Sequence, residues 1–301
     1  MRKTGADVRG ELMTRQDSKR KKDLEMRMFA SRGELRRNAK DATSLAMSKP
    51  NTETVTPAEI AEFLHLSAIS HKSFFRYVKM CRIDDLYKTG RLYLSRLSEM
   101  NDLTEYANSR DANRTYLVSF LFGNVESMAM WKLYGGNPEE SVRLEFDRNE
   151  VVKTLSEYGK HKVYRVDLYG NSTDEIIPDV EEWSFHDVAY KYGKSLYWNH
   201  KVVGTGRCRS LTNPFVIPVL VNKVKNYGWM SENEVRLVIK LKQAIPDLKR
   251  IAVDFRGAIQ SMKIRLGPVC TKRMRLRRIL DNRGIEWDDN RISESKYEVE
   301  F

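Results

Sequence analysis

The segment with the clearest potential for chemistry is WMSENEVR, which runs from Trp229 to Arg236. On a β-strand, Glu232, Glu234 and Arg236 would project to one side while Val235 faces the core. Neighbouring carboxylates can stabilise developing positive charge or take a proton from a nucleophile. The same row is also typical of a solvated edge with paired charges, so the residues alone allow a cleft or an edge.

Two further clusters place polar and aromatic side chains at the ends of apolar elements. The run FFRYVK contains the cation Arg76 and the aromatic residue Tyr77. The turn after the next predicted strand contains Asn101 and Asp102. Asn and Asp are also ordinary turn formers, so this turn indicates a site only in combination with other clusters.

A fourth cluster lies in VESMAMWKLYGG, which predicts an amphipathic helix that ends at paired glycines. Trp131 and Tyr134 are three residues apart and so share one face of this helix.

The four clusters, in this order, resemble a bacterial family known as domain of unknown function 2971 (DUF2971). The resemblance spans about residues 74–266, and the last of its stretches is the most specific. The matching stretches are Phe75-Arg76-Tyr77, Asn101-Asp102-Leu103-Thr104-Glu105, Met130-Trp131-Lys132-Leu133-Tyr134 and Trp229-x-x-Glu232-x-Glu234-x-Arg236. The chain departs from the family pattern at Leu103-Thr104, where Pro-Phe is usual, and at Phe75, where Tyr is usual.

The layout of that family is in turn similar to the ADP-ribosyltransferase fold, which implies a pocket for NAD. The resemblance makes Glu234 the carboxylate that stabilises positive charge on the ribose, and Glu232 the group that orients or deprotonates the nucleophile. An arginine would hold the pyrophosphate or a ribose, and aromatic rings would stack on nicotinamide. The cofactor-binding residues implied in this way are Arg76, Tyr77, Asn101, Asp102, Trp131, Tyr134 and Arg236.

Short helices and strands must position these clusters. Thr56, Pro57 and Glu59 have the pattern of a capped helix start, and Gly90 is placed to end a helix over IDDLYKT. The aromatic-rich region from Val180 to Val203 predicts a long helix. Strands are predicted over FFRYVKM, RLYLSRL, TYLVSFLFG, SVRLEFD, HKVYRVDLY, PFVIPVLV, NEVRLVIKL, KRIAVDF, SMKIRLG and residues 297–301.

The irregular mixture of strands and helices, without a glycine-rich nucleotide loop, predicts an α+β fold. We expect mixed, mainly antiparallel sheets with flanking helices, and the resemblance implies an ADP-ribosyltransferase-like core. Residues 1–50 are predicted to form a basic helical N-terminal arm with a helix from about Gln16 to Met47. A linker over Ser48–Pro57 separates it from an α+β, catalytic-like domain over residues 51–301.

The net charge of +12 is concentrated at two places, which favours a polyanionic partner over an evenly solvated surface. Residues 1–50 contain fourteen Lys and Arg against seven Asp and Glu, and a basic helix is predicted over Thr271–Arg283. The sequence therefore predicts a nucleic-acid partner, RNA or DNA. The thin apolar stripe of the arm could dock on the body, on a nucleic-acid backbone, or on a protein partner such as an antitoxin.

Composition also limits the compartment and the metal chemistry. No stretch approaches the roughly 20 apolar residues of a membrane span, and the start of the chain is charged where a signal peptide is apolar. We therefore expect a cytoplasmic protein with no membrane contact. Three scattered cysteines and five dispersed histidines predict neither a disulfide framework nor a metal site.

Together these features predict an NAD-dependent ADP-ribosyltransferase-like toxin or antiphage defence effector that acts on nucleic acid or a nucleic-acid-associated target. The toxin or defence role follows from the resemblance alone. Two alternatives stay open at this point: a non-catalytic module that binds nucleic acid or a partner, and a nuclease. The nuclease is disfavoured because neither a carboxylate cluster for a metal nor a histidine pair is evident.

Overall fold

The structure, a computed structural model, describes residues 13–38, 55–100, 102, 109–123, 126–156, 162–192, 195–205 and 219–295. The helices in these ranges are α1 (Arg15–Asn38), α2 (Pro57–Ala68), α3 (Cys81–Thr89), α4 (Met128–Tyr134), α5 (Arg148–Ser156), α6 (Arg256–Ser261) and α7 (Arg273–Asp281). The strands are β1 (Ser73–Lys79), β2 (Arg91–Arg96), β3 (Thr115–Leu121), β4 (Ser141–Asp147), β5 (Val163–Val166), β6 (Ser172–Ile177), β7 (Val180–Asp187), β8 (Ala189–Tyr192), β9 (Ser195–Trp198), β10 (Lys201–Thr205), β11 (Val224–Asn226), β12 (Glu234–Leu241), β13 (Arg250–Asp254), β14 (Lys263–Leu266) and β15 (Ile292–Glu294).

These strands form a large sheet and a small one. The large sheet has the order β15-β14-β4-β1-β3-β2-β13-β5-β6, with β12 paired to β3 and β7 paired to β12. The small sheet has the order β10-β9-β8-β11. Only β14–β15 and β8–β11 are parallel among the described pairs. The predicted α+β class with mixed, mainly antiparallel sheets is confirmed.

The two faces of the large sheet bury different sets of side chains. Phe74, Phe120 and Leu237 face the main core, to which all the described helices except α4 contribute apolar residues. Helix α4 packs on the opposite face, where Trp131 and Met130 cluster with Tyr77. The two faces follow from the alternation of side chains along each strand.

Several local signals in the sequence form as predicted. Thr56 and Glu59 make a reciprocal capping box at the start of α2, with Pro57 as its first residue. Gly90 ends α3 with φ of 64°, a left-handed conformation that glycine adopts without steric cost. The predicted strands over FFRYVKM, RLYLSRL, TYLVSFLFG, SVRLEFD, HKVYRVDLY, NEVRLVIKL, KRIAVDF and SMKIRLG and the basic helix in 271–283 are all present. The predicted strand over residues 297–301 lies outside the described residues, as does most of PFVIPVLV.

The prediction of a long helix from Val180 to Val203 is wrong. The described part of this region forms the four strands β7, β8, β9 and β10, and Asn199 and His200 make a turn with positive φ between the last two. Aromatic and β-branched residues pack well in strands, and β7 gains a partner along nearly its whole length by pairing with β12. The local aromatic spacing could not indicate this long-range partner.

The large sheet splits beside β3. On one side β3 pairs with β12 along its whole length, whereas on the other side β2 pairs with only Tyr116 and Leu117, and β1 with only Leu121. Strand β1 instead pairs fully with β4, and β2 pairs with β13. Within the described residues, no strand therefore pairs with residues 118–120 on this side.

The backbone of Ser119 faces this split. Phe122 N–H donates to Asn233 O on the β12 side of β3. Because backbone groups alternate along an antiparallel strand, the N–H and C=O of Ser119 point the other way, between β1 and β2. The split thus exposes polar backbone groups that a ligand can use.

The arm helix α1 packs on the body. Leu24 and Met28, two residues of the predicted apolar stripe, lie in the main core against α2. Arg20 bonds to Glu62 at 2.9 Å, and Arg27 pairs with Glu59, so acidic side chains of α2 neutralise part of the charge of the arm. The predicted boundary near residue 50 lies outside the described residues.

This packing predicts a stability contribution from α1. Leu24→Ala should lower the free energy of unfolding by about 2–5 kcal/mol, because it leaves a cavity in the core. Met26 lies on the same helix but is 62% exposed. Met26→Ala should therefore change the free energy of unfolding by less than about 0.5 kcal/mol. Urea unfolding of both variants checks this, and equal small effects would show that α1 does not dock.

Candidate functional site

The split opens into a cavity of about 180 Å³. This volume is smaller than the roughly 300–1,000 Å³ that is typical of small-molecule sites. Side chains of β1, β2, β3, β11 and β12 and of the turn before β12 line it. The predicted site residues that line it are Arg76, Tyr77, Asp102, Tyr134, Glu232 and Glu234.

Glu234, the first residue of β12, is the most strongly held carboxylate of the cavity. Its side chain is only 2% exposed. Arg236 Nε donates to its Oε1 at 2.6 Å, Lys225 Nζ donates to its Oε2 at 3.2 Å, and Ser119 Oγ donates to Oε1. Three strands thus supply donors to one carboxylate.

These donors decide the charge of Glu234. Burial alone would raise the pKa of its carboxyl, because water no longer solvates the anion. The positive charges of Arg236 and Lys225, with hydrogen bonds from Arg236 and Ser119, outweigh burial and lower the pKa to about 2. Glu234 is therefore ionised at neutral pH.

Glu232 lies beside Glu234, but not on the same strand as predicted. It ends a 3₁₀ turn over Tyr227–Glu232, and Asn233, with φ of 45°, connects the turn to β12. The left-handed residue breaks the strand alternation, so the expectation that Glu232, Glu234 and Arg236 form one row is wrong for Glu232. The carboxylates still converge on the cavity, because Lys225 Nζ donates to Glu232 at 2.6 Å as well as to Glu234.

Tyr134 closes this network at the mouth of the cavity. Its hydroxyl donates to Glu232 Oε1. Burial, together with the negative charge of Glu232, raises the pKa of Tyr134, so the phenol stays protonated and acts as a donor. Helix α4 positions Tyr134. The helix begins at Met128, and the side chain of Ser127 caps its first turn.

Arg76 is the contrasting cation of the cavity. Its guanidinium lies 5.9 Å from the centre of the Phe120 ring, and no acidic side chain among the described residues pairs with it. Burial, reinforced by the charge of Arg82, lowers the pKa of Arg76 to about 10. A partly buried cation without an acidic partner is suited to an anionic ligand.

Two predicted ligand-binding residues do not line the cavity. Trp131 lies behind Tyr77, with the ring centres 4.7 Å apart and the planes at 88°, and its Nε1 donates to Glu126 at 3.4 Å. Arg236 is fully buried behind Glu234, and its Nη1 donates to Asn222 O at 3.1 Å. Both side chains hold a lining residue in place.

The remaining predicted residues are Asp102 and Asn101. Asp102 lines the cavity and accepts a hydrogen bond from Asn226 N at 3.3 Å. Asn101 lies outside the described residues. The structure thus brings residues of all four predicted clusters to the lining of one cavity.

Sequence reasoning missed Ser119 and Lys225. Ser119 is the polar residue within the apolar run TYLVSFLF, and this interruption of a buried strand was a usable signal. Lys225 gave no such signal, because lysines in a stretch such as VNKVKN are ordinary. Only the pairing of β11 with β8 brings it to the two glutamates.

Two further observations concern the described residues only. No helix among them is long and apolar enough to cross a membrane. Their His, Cys, Asp and Glu side chains include no group of three that could hold a metal ion.

Comparison with known families matches residues 130–237 to a family described as a protein of unknown function, DUF2971. The resemblance to that family is therefore confirmed over about a third of the chain, which includes Trp131, Tyr134, Glu232, Glu234 and Arg236. No curated protein and no solved structure matches the chain. The class defined by fold and site is an α+β protein with a split sheet and an ionised glutamate in the split.

The depressed pKa of Glu234 predicts how stability depends on pH. The unfolded chain binds this proton near pH 4.5 and the folded chain near pH 2, so its contribution is present above about 4.5 and is lost as pH falls toward 2. Between pH 5 and 3 the free energy of unfolding should fall more steeply for wild type than for Glu234→Gln, by up to about 1.4 kcal/mol per pH unit. Exposed Glu286→Gln should follow wild type, and parallel curves for all three proteins would contradict the assignment.

Proposed function

We propose that this chain is an NAD-dependent ADP-ribosyltransferase that modifies nucleic acid or a nucleic-acid-associated target. The observation that carries the proposal is the ionised Glu234 in a split-sheet cavity that also contains Arg76, a cation with no acidic partner among the described residues. Such a pair of opposite charges suits a ligand with an anionic centre at one end and a reacting centre that becomes positive at the other.

The residues present fit NAD by type. Arg76 would hold the pyrophosphate through its donor fork. Tyr77 and Tyr93 flank the split on β1 and β2, and both line the cavity, where aromatic rings can pack against a planar base. The backbone N–H and C=O of Ser119, between these two strands, match the acceptor and donor of a carboxamide.

Glu234 is placed to promote the cleavage. NAD, when bound, supplies a glycosidic bond whose cleavage develops positive charge on the ribose. A fixed, already ionised carboxylate stabilises that charge more than it stabilises the ground state. Arg236 and Ser119 fix the position of this carboxylate, so little reorganisation is needed as the charge develops.

Glu232 serves the acceptor side. A carboxylate has about four lone-pair sites, and Glu232 uses two of them for Tyr134 and Lys225. It therefore keeps the capacity to accept a hydrogen bond from an incoming hydroxyl or amine and to orient or deprotonate it. Tyr134, which is 41% exposed, lies where such an acceptor would enter.

The proposal also includes the acceptor and the biological role. The net charge of +12 supports a polyanionic acceptor, or a protein bound to one. A toxin or antiphage defence effector is the role that the family resemblance suggests. A protein partner such as an antitoxin would then be expected to restrain the enzyme.

The proposed enzyme should release nicotinamide from NAD at a rate that depends on Glu234. Purified protein incubated with NAD labelled in the adenosine part should release nicotinamide and label one of total RNA, DNA or protein. Glu234→Gln should lower the rate of release at least about 100-fold, because the stabilising charge is gone. Nicotinamide measured by chromatography and label on each acceptor pool provide the readout.

Two controls make this result interpretable. Glu286→Gln, on the exposed surface, should keep the wild-type rate. If Glu234→Gln does not fold, Ser119→Ala removes only one hydrogen bond to the carboxylate and should lower the rate by a smaller factor. Wild-type protein that releases no nicotinamide and transfers no label would leave a binding module in place of the enzyme.

A further inference from the structure

The chain contains a long basic segment without acidic residues next to the cavity. Residues 188–231 contain no Asp or Glu, and they contain the seven cations Lys191, Lys194, Lys201, Arg207, Arg209, Lys223 and Lys225. Elsewhere in the chain acidic and basic residues are interspersed. Lys225 pairs with Glu232 and Glu234, which lie just beyond the segment. The lack of acidic residues over these 44 residues still favours a polyanion at this place.

The described part of this segment forms the small sheet. Strands β8, β9, β10 and β11 all belong to it, and β8 continues directly from β7 of the large sheet after a single residue. Among the described residues, Lys191, Lys201 and Lys225 lie on strands of this small sheet, and Lys223 directly precedes β11.

Three tyrosines gather on this small sheet. The rings of Tyr192 and Tyr227 have centres 5.1 Å apart, and those of Tyr197 and Tyr227 are also 5.1 Å apart. Tyr192 is 65% exposed, whereas Tyr197 and Tyr227 are partly buried. Packing of the inner two rings holds the outer ring at the surface, where it can stack on a planar group.

This tyrosine cluster is continuous with the candidate site. Tyr190, two residues before Tyr192 on the same face of β8, accepts a hydrogen bond from Glu234 N at 3.0 Å. Tyr227 begins the turn whose other residues Trp229 and Glu232 line the cavity. The Cα atoms of Tyr190 and Tyr192 are about 7 Å apart along an extended strand, which is about one nucleotide step.

We propose that the cluster Tyr192, Tyr197 and Tyr227 is the docking surface for a single-stranded nucleic acid, from which one nucleotide reaches Glu232 and Glu234. An exposed aromatic ring beside clustered cations is the combination that binds single strands, because bases stack while the backbone is neutralised. A duplex hides the faces of its bases and cannot use Tyr192 in this way. The role of the bound strand as acceptor rests on the proposed function, but the binding itself does not.

Fluorescence anisotropy with labelled 12-nucleotide RNA, DNA of the same sequence, and the corresponding duplexes tests the proposal on the full chain. We expect single strands to bind more tightly than duplexes, with an affinity that falls as salt rises. The RNA and DNA arms decide which sugar is preferred. Tyr192→Ala should weaken single-strand binding about tenfold, whereas Tyr192→Phe, which keeps the ring, should stay within about twofold of wild type.

Tyr169→Ala is the matched control, because Tyr169 is 91% exposed on the β5–β6 hairpin and outside the small sheet. It should leave single-strand affinity unchanged. Equal affinity for duplex and single strand, or an unchanged affinity of Tyr192→Ala, would overturn the docking surface.

Hydrolysis of NAD, measured as nicotinamide release without a nucleic-acid or protein acceptor, tests the docking surface separately from the proposed enzyme activity. Tyr192→Ala should keep the wild-type rate, since Tyr192 does not line the cavity. If Tyr192→Ala loses single-strand binding but keeps nicotinamide release, the docking surface is supported. If the wild-type protein binds single strands but releases no nicotinamide, only the proposed enzyme activity is overturned.

Discussion

The rest of the site depends on the interaction between the ionised carboxylate of Glu234, beneath the cavity, and the groups that donate hydrogen bonds to it. Taking a carboxylate out of water costs several kcal/mol, and Glu234 keeps its charge only because cations and a hydroxyl compensate this cost. Its donors come from β12 itself, from β11 through Lys225 and from β3 through Ser119. The two sheets must therefore be assembled before this charge is stable, so the site and the fold form together.

The site also depends on the split of the large sheet beside β3. Strands β1 and β2 leave the central part of β3, and they pair instead with β4 and β13 further out. The gap that remains exposes polar backbone at Ser119 and brings Arg76 to the cavity from the core side of the sheet, opposite Glu234. A continuous sheet would have closed this space with strand hydrogen bonds, and neither charge could have met a ligand.

Local signals predicted most of the elements and several of the residues that line the cavity, whereas long-range pairing decided the rest. The capping box at Thr56, the stop at Gly90 and the alternation in NEVRLVIKL each act within a few residues, so the sequence alone sufficed for them. The strands in 180–203 depend on pairing between distant segments, which local aromatic spacing does not report. The same limit explains why Lys225 was missed.

The supporting roles of two residues show a further limit of sequence reasoning. Trp131 and Arg236 were expected to contact the cofactor, because aromatic and guanidinium groups are typical ligand-binding groups. In the fold, each packs behind a lining residue, Tyr77 and Glu234 respectively. Residue type and order can place a side chain near a site, but only the packing of α4 and β12 determines whether it faces the ligand.

A crystal structure of Glu234→Gln grown with NAD tests the central claim most directly, because the variant is expected to bind the dinucleotide without cleaving it. The account predicts NAD in the split between β1 and β2, with its phosphates within hydrogen-bond distance of Arg76 and its nicotinamide ribose beside position 234. An empty cavity at saturating NAD, or NAD on another surface, would contradict the account.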